Sequence, residues 1–426
     1  MLTFAIFGGL VALVMLGVPV AVAMAMTAVL SFVLLGEPHI LPMLAQRMYS
    51  ATTGFTLLAI PFFIMVGNLM NESGITDRIF RFARALTGHW WGGLAQVNIV
   101  DRVIFAGMSG AAVADAAGFG LVEIKVMNDA GYEPKFSAAI TAASSTIGPV
   151  IPPSIPFVVY GSLTNTSVAK LFMAGFIPGI LMAVAMMIAV YFISKARNYP
   201  RYPKASFKEI LISFKDAFFA ILTPVIIIGG ILTGYFTPTE ASVVACFYAL
   251  FLGLVVYRTI KARDLPRIIW ATLLQTIRLM FIISAAGFFG WLLLHQRIPQ
   301  AVVAGLTAIG TTPAAFIALV ILVLLVLGCF LEGIAVFLIT VPVFMPLVAN
   351  YGIDPVHFGV IMTLCSMIGL LTPPVGMSLY AVSSITKLDI WEITKEMWPY
   401  LVGIFLVLLL VAYVPSITLF LPRLIG

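Results

Sequence analysis

The stretch SSTIGPVIPP, residues 144–153, interrupts an apolar run with small polar residues, one glycine and three prolines. A second stretch, SMIGLLTPP, residues 366–374, interrupts another apolar run in the same way. Residues 131–153 and 352–374 align without a gap at a spacing of 352 − 131 = 221 residues, with the proline pairs in register. A matched helix interruption in each half of a membrane protein is typical of secondary transporters.

The composition indicates a membrane protein. Of the 426 residues, 62% are hydrophobic and only 9% are charged, and the mean hydropathy is +1.13. Soluble domains carry about 25% charged residues, so this chain lacks the polar side chains needed to cover a globule. At about 20 residues per crossing, the apolar runs predict roughly ten to twelve transmembrane segments. We therefore predict an all-α polytopic membrane protein in which the two interruptions are discontinuous helices.

The charge distribution predicts two inverted repeats. The net charge of +6 lies mostly in connecting segments, which indicates a positive-inside bias rather than nucleic-acid binding. The basic segment 195–215 marks the boundary between a predicted first repeat, 1–215, and a second repeat, 216–426. Residues 258–267 are also basic, whereas their counterpart in the first half, 36–53, has one arginine and no lysine. Opposite charge on matched loops predicts inverted topology.

Two short apolar runs suggest re-entrant hairpins. Residues 54–70 are short for a crossing and contain Pro61, which favours a hairpin, although a proline-kinked crossing is equally compatible. Residues 279–294 form a similar run in the second half, interrupted by Gly287 and Gly290. We expect one re-entrant hairpin in each half.

Several classes of function have no support in the sequence. The three cysteines lie in apolar runs without the spacing of a disulfide framework or a metal site. No Walker motif, nucleophile elbow, zinc motif or dinucleotide fingerprint is present, so neither ATP-driven transport nor an enzyme is indicated. The N-terminus lacks the basic region of a signal peptide and is interpreted as a first crossing.

The interruptions are the first candidate site. Unwound helices in a membrane free backbone carbonyls, and carbonyls with small hydroxyls suit a small hard cation. Gly148 and Gly369 allow close approach, and the proline pairs end the preceding half-helices. Further oxygens come from Ser145, Ser154, Ser366 and Thr372. The alternative is that both interruptions are proline kinks that only help the helices to pack.

Two acids and one arginine are further candidates. Asp115 lies in an apolar segment, where an uncompensated carboxylate is costly. Glu332-Gly333 takes the place in the second half that Ser109 takes in the first, at 332 − 109 = 223, which suggests symmetric cation sites. Either acid can instead be a helix-end residue. Arg297 is placed either to bind a substrate carboxylate or to extend to the lipid interface.

Several motifs, in order, resemble the large membrane subunit of TRAP (tripartite ATP-independent periplasmic) transporters. They are IFAGMSG at 104–110, ADAAG at 114–118, GPVIPPS at 148–154, GYFTPTEA at 234–241 and LTPPVG at 371–376. The resemblance extends over essentially the whole chain. It implies a sodium-driven elevator in the bacterial inner membrane, in which two hairpins and two broken helices slide against a scaffold. It implies no organic cofactor, with Na⁺ as the coupling ion.

The resemblance also implies partners and a substrate class. The partners are a small four-helix membrane subunit and a periplasmic binding protein, and the substrates are organic anions such as C4-dicarboxylates, sialic acids and other sugar acids. The residues discussed above and the resemblance together predict a substrate-binding set of Ser109, Asp115, Ser154, Arg297 and Glu332. The predicted sodium set is Ser145, Gly148, Ser154, Gly333, Ser366, Gly369 and Thr372.

The chain departs from the family pattern at two places. Asp101-Arg102 stand where the family usually has small or weakly polar residues, and this charged pair either forms an internal ion pair or perturbs the nearby site. Ala111 stands where relatives can have serine, which removes one oxygen. Two other functions stay open: a stand-alone sodium-coupled carboxylate carrier, and a non-transporting membrane scaffold or proton-channel subunit.

Overall fold

The computed structural model describes residues 2–109, 112–308 and 311–425. Within these ranges the chain is helical and contains no strand. Seven of the described helices are long and apolar enough to cross a membrane, and six shorter apolar helices accompany them. The polytopic all-α prediction is confirmed.

The first half begins with two apolar helices that separate at Gly17, where φ is +85°. A short 3-10 turn at Phe55–Leu58 leads into the fourth helix. The helices of this half are α1 (Leu2–Met15), α2 (Val20–Leu34), α3 (Met43–Ser50), α4 (Ala59–Glu72), α5 (Ile75–Thr87), α6 (Gly93–Ser109), α7 (Ala112–Ala117), α8 (Phe119–Asp129), α9 (Pro134–Ser145), α10 (Ile155–Thr164) and α11 (Val168–Ala196).

The first helix of the second half begins inside the basic segment 195–215 and continues across residue 215. It starts with a capping box, in which the Ser206 hydroxyl accepts from the Glu209 amide and the Glu209 carboxylate accepts from the Ser206 amide. The helices of this half are α12 (Phe207–Leu232), α13 (Pro238–Phe251), α14 (Leu265–His295), α15 (Ile298–Ala308), α16 (Pro313–Gly328), α17 (Gly333–Asn350), α18 (Pro355–Gly369), α19 (Met377–Thr386), α20 (Ile390–Tyr413) and α21 (Ser416–Ile425).

Both predicted interruptions are present. The first separates α9 from α10 and the second separates α18 from α19. In each, the bond between the two prolines, at 152–153 and at 373–374, is cis. Both α9 and α18 begin with proline at the first helical position, where its missing N–H costs no hydrogen bond. Almost every residue of these two helices is buried, so the interruptions lie in the middle of the molecule.

Two antiparallel helical hairpins pack around the interruptions. In hairpin one, α6 and α8, the hydroxyl of Tyr132 just after α8 accepts from the Leu94 amide at the start of α6, at 3.3 Å. In hairpin two, α16 and α17, the ring of Phe316 near the start of α16 stacks on Tyr351 at the end of α17, with centroids 5.0 Å apart. Each hairpin therefore returns to the side on which it began.

The predicted positions of the hairpins are wrong. Residues 55–72 form one continuous helical segment, and Pro61 lies in the first turn of α4, where proline does not break a helix. Residues 279–294 lie inside the 31-residue helix α14. Gly287 does not interrupt that helix; it lets α3 pack closely, because a Cβ at position 287 would lie 2.3 Å from the Ala51 Cβ.

Helix α14 contacts helices from both halves of the chain. It packs against α2, α3 and α4 of the first half and against hairpin helix α17 of the second half. One face of α14 therefore looks toward the hairpins and the interrupted helices.

Candidate substrate and cation site

Hairpin one meets the first interruption at an acid and a glycine. The buried Asp115 carboxylate lies against Gly148, because a Cβ at position 148 would be 3.2 Å from Asp115 Oδ2. Glycine at this position leaves room for the carboxylate beside unwound backbone. A carboxylate next to free carbonyls is a typical setting for a bound cation. Two of the predicted residues are thus brought together.

Hairpin two meets the second interruption in the corresponding way. A Cβ at Gly333 would lie 2.1 Å from the Ser366 hydroxyl oxygen, and a Cβ at Gly369 would lie 2.5 Å from the Gly328 Cα. The Ser366 oxygen is buried and, within the described part of the chain, has no hydrogen-bond partner. Buried polar atoms normally have partners, so an orphan oxygen here indicates a place for a ligand.

The other predicted hydroxyls already donate hydrogen bonds. Ser145 donates to the Ala142 carbonyl at 2.8 Å, and Thr372 donates to the Ile368 carbonyl at 2.7 Å. Ser154 donates to the Pro149 carbonyl across the first interruption, and its oxygen accepts from the Phe157 amide. A donating hydroxyl keeps lone pairs for a cation. Ser154 also has a structural role, since it caps the N-terminus of α10.

The donor set fits sodium. Hard cations prefer carboxylate, carbonyl and hydroxyl oxygens, and both interruptions offer these. Residues able to hold the ion are Asp115 and Ser145 at the first interruption and Ser366 and Thr372 at the second. Across the described ranges, no cluster of three or more His, Cys, Asp or Glu side chains offers a transition-metal site.

A cavity of about 390 Å³ lies between the hairpins, the interruptions and α14, and we call it the Arg278 cavity. Glu332 and Gly333 line it at the N-terminus of α17, and Pro149 lines it from the first interruption. Helix N-termini carry unpaired amides and partial positive charge, which favour an anion. Other lining residues are Ala112, Val113, Ile155, Pro156, Met367 and Leu370.

The sequence analysis did not identify Arg278, the positively charged residue that lines this cavity. Arg278 extends from α14 into it, and the neighbouring Gln275 accepts from the Asn68 amide at 3.4 Å. Among the ion pairs and hydrogen bonds of the described residues, none involves Arg278. The available signal was a charged residue in the interior of a long apolar helix, which is costly without a function.

Among the described side chains of the predicted substrate set, Glu332 lines the cavity, whereas Asp115, Ser154 and Arg297 do not. Arg297 is exposed in the turn between α14 and α15, with φ at +52°, and does not line the cavity. The side chain of Ser109 lies outside the described part of the chain, as does Ala111.

The predicted internal ion pair at Asp101-Arg102 is found for Arg102 but not for Asp101. Arg102 forms a fully buried ion pair, but with Glu123 of α8 rather than with Asp101. Arg102 also donates to the Asp115 carbonyl at 3.4 Å, so this ion pair supports the residue that faces Gly148. Neither Asp101 oxygen has a hydrogen-bond partner among the described residues.

A second polar network joins hairpin one to the first interrupted helix. Asn98 donates to Thr141 at 2.9 Å and accepts from Ser144 at 2.5 Å, all three being buried. The sequence analysis did not identify this network, because the residues lie 43 and 46 positions apart.

Known proteins are similar in sequence to this chain over nearly its full length. The family model described as "Tripartite ATP-independent periplasmic transporter, DctM component" matches residues 7–417. The chain belongs to the DctM family of TRAP transporters. As a TRAP permease it is a multi-pass protein of the bacterial inner membrane and not an enzyme.

Named relatives of this TRAP permease differ in the substrate that their names give. The sialic acid TRAP transporter large permease protein SiaM of Vibrio cholerae is 46% identical over 98% of each chain. The C4-dicarboxylate TRAP transporter large permease protein DctM of Pseudomonas aeruginosa is 39% identical over 92% of each chain.

Two solved structures share the fold. MtrF of Neisseria gonorrhoeae has a TM-score of 0.58 at 13% identity, covering 91% of this chain and 84% of its own. The YdaH transporter of Alcanivorax borkumensis has a TM-score of 0.56 at 14% identity, covering 88% and 87%. The likeness at this identity concerns the architecture alone.

Proposed function

We propose that this TRAP permease is the translocating subunit of a sodium-coupled importer of organic anions. The observation that carries the proposal is the Arg278 cavity, in which a cation of α14 faces both hairpins and the first interrupted helix. Arginine binds a carboxylate through two parallel hydrogen bonds, and the amides at the N-terminus of α17 add positive potential.

The chain's own residues explain why sodium is needed. Glu332 lines the same cavity as Arg278 and opposes a second negative charge. The Ser366 oxygen contacts Gly333, the residue after Glu332, and is available as a cation ligand. A sodium ion at this place supplies the positive charge that offsets Glu332 and the substrate.

The contacts support an elevator mechanism. Hairpin two touches the second interruption backbone to backbone, at Gly328 and Gly369, so these elements move as one body. Helix α14 borders that body at a cavity and also packs against α2, α3 and α4. Sliding hairpin two and the second interruption together along α14 therefore breaks fewer close contacts than separating the hairpins from the interruptions.

The partners and the substrate follow from the family. TRAP large permeases work with a small membrane subunit and a periplasmic binding protein, and we propose the same for this chain. The names of the V. cholerae and P. aeruginosa relatives give sialic acid and C4-dicarboxylates. Both are carboxylates, as Arg278 requires, and sialic acid is the first to test because the SiaM relative is 46% identical.

The test is uptake of N-acetylneuraminate and of succinate by the complete complex in vesicles, with and without an inward sodium gradient. We expect sodium-dependent uptake of one acid in the wild type. Arg278→Gln should lower kcat/KM at least tenfold, because the carboxylate loses its charged partner. The matched control is Arg297→Gln, which removes an arginine outside the cavity and should stay within twofold.

Three results would count against parts of the proposal. Equal uptake without a sodium gradient contradicts the coupling. Uptake without the binding protein favours a stand-alone carrier. Equal effects of the two arginine variants contradict the role of Arg278.

A further inference from the structure

A second cavity, of about 380 Å³, continues the Arg278 cavity along the same helices. On α14, Ile282 lines the first cavity and Ile283 the second. On α17, Ile334 lines the first and Leu338, about one turn further, the second. Helix α10 also borders both. The two cavities therefore lie one after the other along α10, α14 and α17.

The second cavity contains one arginine, Arg47 of α3, and we call it the Arg47 cavity. The guanidinium carbon lies 4.9 Å from the centre of the Trp291 ring. Gly287 makes this possible, since its lack of a side chain lets α3 approach α14. Stacking on tryptophan fixes the plane of a guanidinium and leaves its edge free for hydrogen bonds.

The guanidinium of Arg47 makes no hydrogen bond within the part of the chain that the structure describes. Its Nε is buried and has no hydrogen-bond partner among the described residues, and no described ion pair includes it. None of the described residues that line the cavity is acidic; the other polar side chains in its lining are the hydroxyls of Ser50 and Ser162 and the Trp291 indole. A positive charge in a largely apolar recess, without a counter-ion, favours an anion.

The position of the Arg47 cavity is set by α14. This helix begins in the basic segment 258–267, which the positive-inside rule places in the cytoplasm. Trp291 lies thirteen residues beyond Arg278, or about 20 Å along the helix. The Arg47 cavity is therefore on the periplasmic side of the Arg278 cavity.

We propose that the Arg47 cavity is a second binding site for the carboxylate of the transported anion, occupied before the anion reaches Arg278. This inference rests on the proposed function. The volume suits a small organic acid, since ligand pockets begin near 300 Å³. Leu338 and Pro342 of hairpin two form one wall of the cavity. Movement of hairpin two along α14 therefore transfers the anion from Arg47 to Arg278.

The first test is kinetic. In vesicles holding the complete complex, Arg47→Gln should raise KM for external N-acetylneuraminate or succinate at least tenfold. Arg47→Lys keeps the charge but not the planar edge and should be intermediate. Arg297→Gln, at the same end of α14 but outside the cavity, should stay within twofold. A KM within twofold of wild type for Arg47→Gln overturns the proposal.

The second test measures occupancy without transport. Ser162, which lines the Arg47 cavity, is changed to cysteine in a chain whose Cys246, Cys329 and Cys365 are alanine, and the purified complex is labelled with 2-aminoethyl methanethiosulfonate. Either acid should slow labelling of the Ser162→Cys thiol at least fivefold but leave an Arg297→Cys thiol unaffected, and Arg47→Gln should abolish the protection at Ser162→Cys. Labelling that neither acid slows overturns the site.

The two tests separate this inference from the proposed function. If the wild-type complex takes up neither acid with a sodium gradient, the proposed function fails at that step. Protection of the Ser162→Cys thiol does not depend on a gradient, so it still decides whether the cavity binds a carboxylate.

Discussion

The buried Arg102–Glu123 ion pair is the residue-scale feature with the largest expected effect on stability. Both side chains are about 1% exposed. Removing one member of such a pair leaves an uncompensated charge and costs about 3–5 kcal/mol. We therefore expect Glu123→Gln to lower the thermal unfolding midpoint of the purified complex strongly. The control is Glu72→Gln, which breaks the exposed Arg267–Glu72 pair and should cost less than about 1 kcal/mol.

A paired change completes this test. Replacing Arg102 and Glu123 together with leucine removes both charges and should recover much of the lost stability, because apolar pairs often replace buried ion pairs at little cost. A double variant as unstable as Glu123→Gln would mean that Arg102 serves mainly through its hydrogen bond to the Asp115 carbonyl.

At the scale of elements, the contact between hairpin two and the second interruption depends on two glycines. A Cβ at position 369 would lie 2.5 Å from the Gly328 Cα, which is backbone and has no rotamer to adopt. We expect Gly369→Ala to separate the two elements, to destabilise the fold by about 1–3 kcal/mol and to abolish uptake.

The matched control for this prediction is Gly305→Ala. Gly305 lies in α15 with no atom within 4 Å of an added Cβ. Alanine there should be neutral or slightly stabilising, since it favours the helix over glycine. Equal thermal unfolding midpoints and equal uptake for the two alanine variants would show that the Gly328–Gly369 contact is not required.

For the whole molecule, the elevator predicts that tying α14 to hairpin two stops transport without unfolding the protein. Gly290 of α14 faces Pro342 of α17, and a Cβ at 290 would lie 3.6 Å from the Pro342 ring. We expect a chain with both Gly290→Cys and Pro342→Cys to lose uptake when cross-linked by a short bis-methanethiosulfonate and to regain it on reduction.

The two single cysteine variants, treated with the same reagent, are the controls for the cross-link. They should lose less uptake than the cross-linked double variant, because a reagent bound at one end fills part of the Arg47 cavity but does not join α14 to hairpin two. Full uptake by the cross-linked double variant would mean that α14 and hairpin two do not move relative to each other.

The sequence by itself determined the class of the molecule and its two interruptions. Composition and proline positions are local properties, and each acts on the helix in which it lies, so residues 144–153 and 366–374 could be assigned without a fold. The acid Asp115 could be named for the same reason, because a carboxylate in an apolar segment is costly wherever the segment packs.

Only the tertiary structure decided where the hairpins turn and which arginines face a cavity. The run at 279–294 resembles a hairpin in the sequence because it is short and contains Gly287 and Gly290, whereas α14 continues through both glycines. Whether an arginine in such a helix meets lipid, protein or a cavity depends on helices distant in sequence. Arg278 and Arg47 acquire their surroundings from hairpin two and α14, contacts that no local pattern encodes.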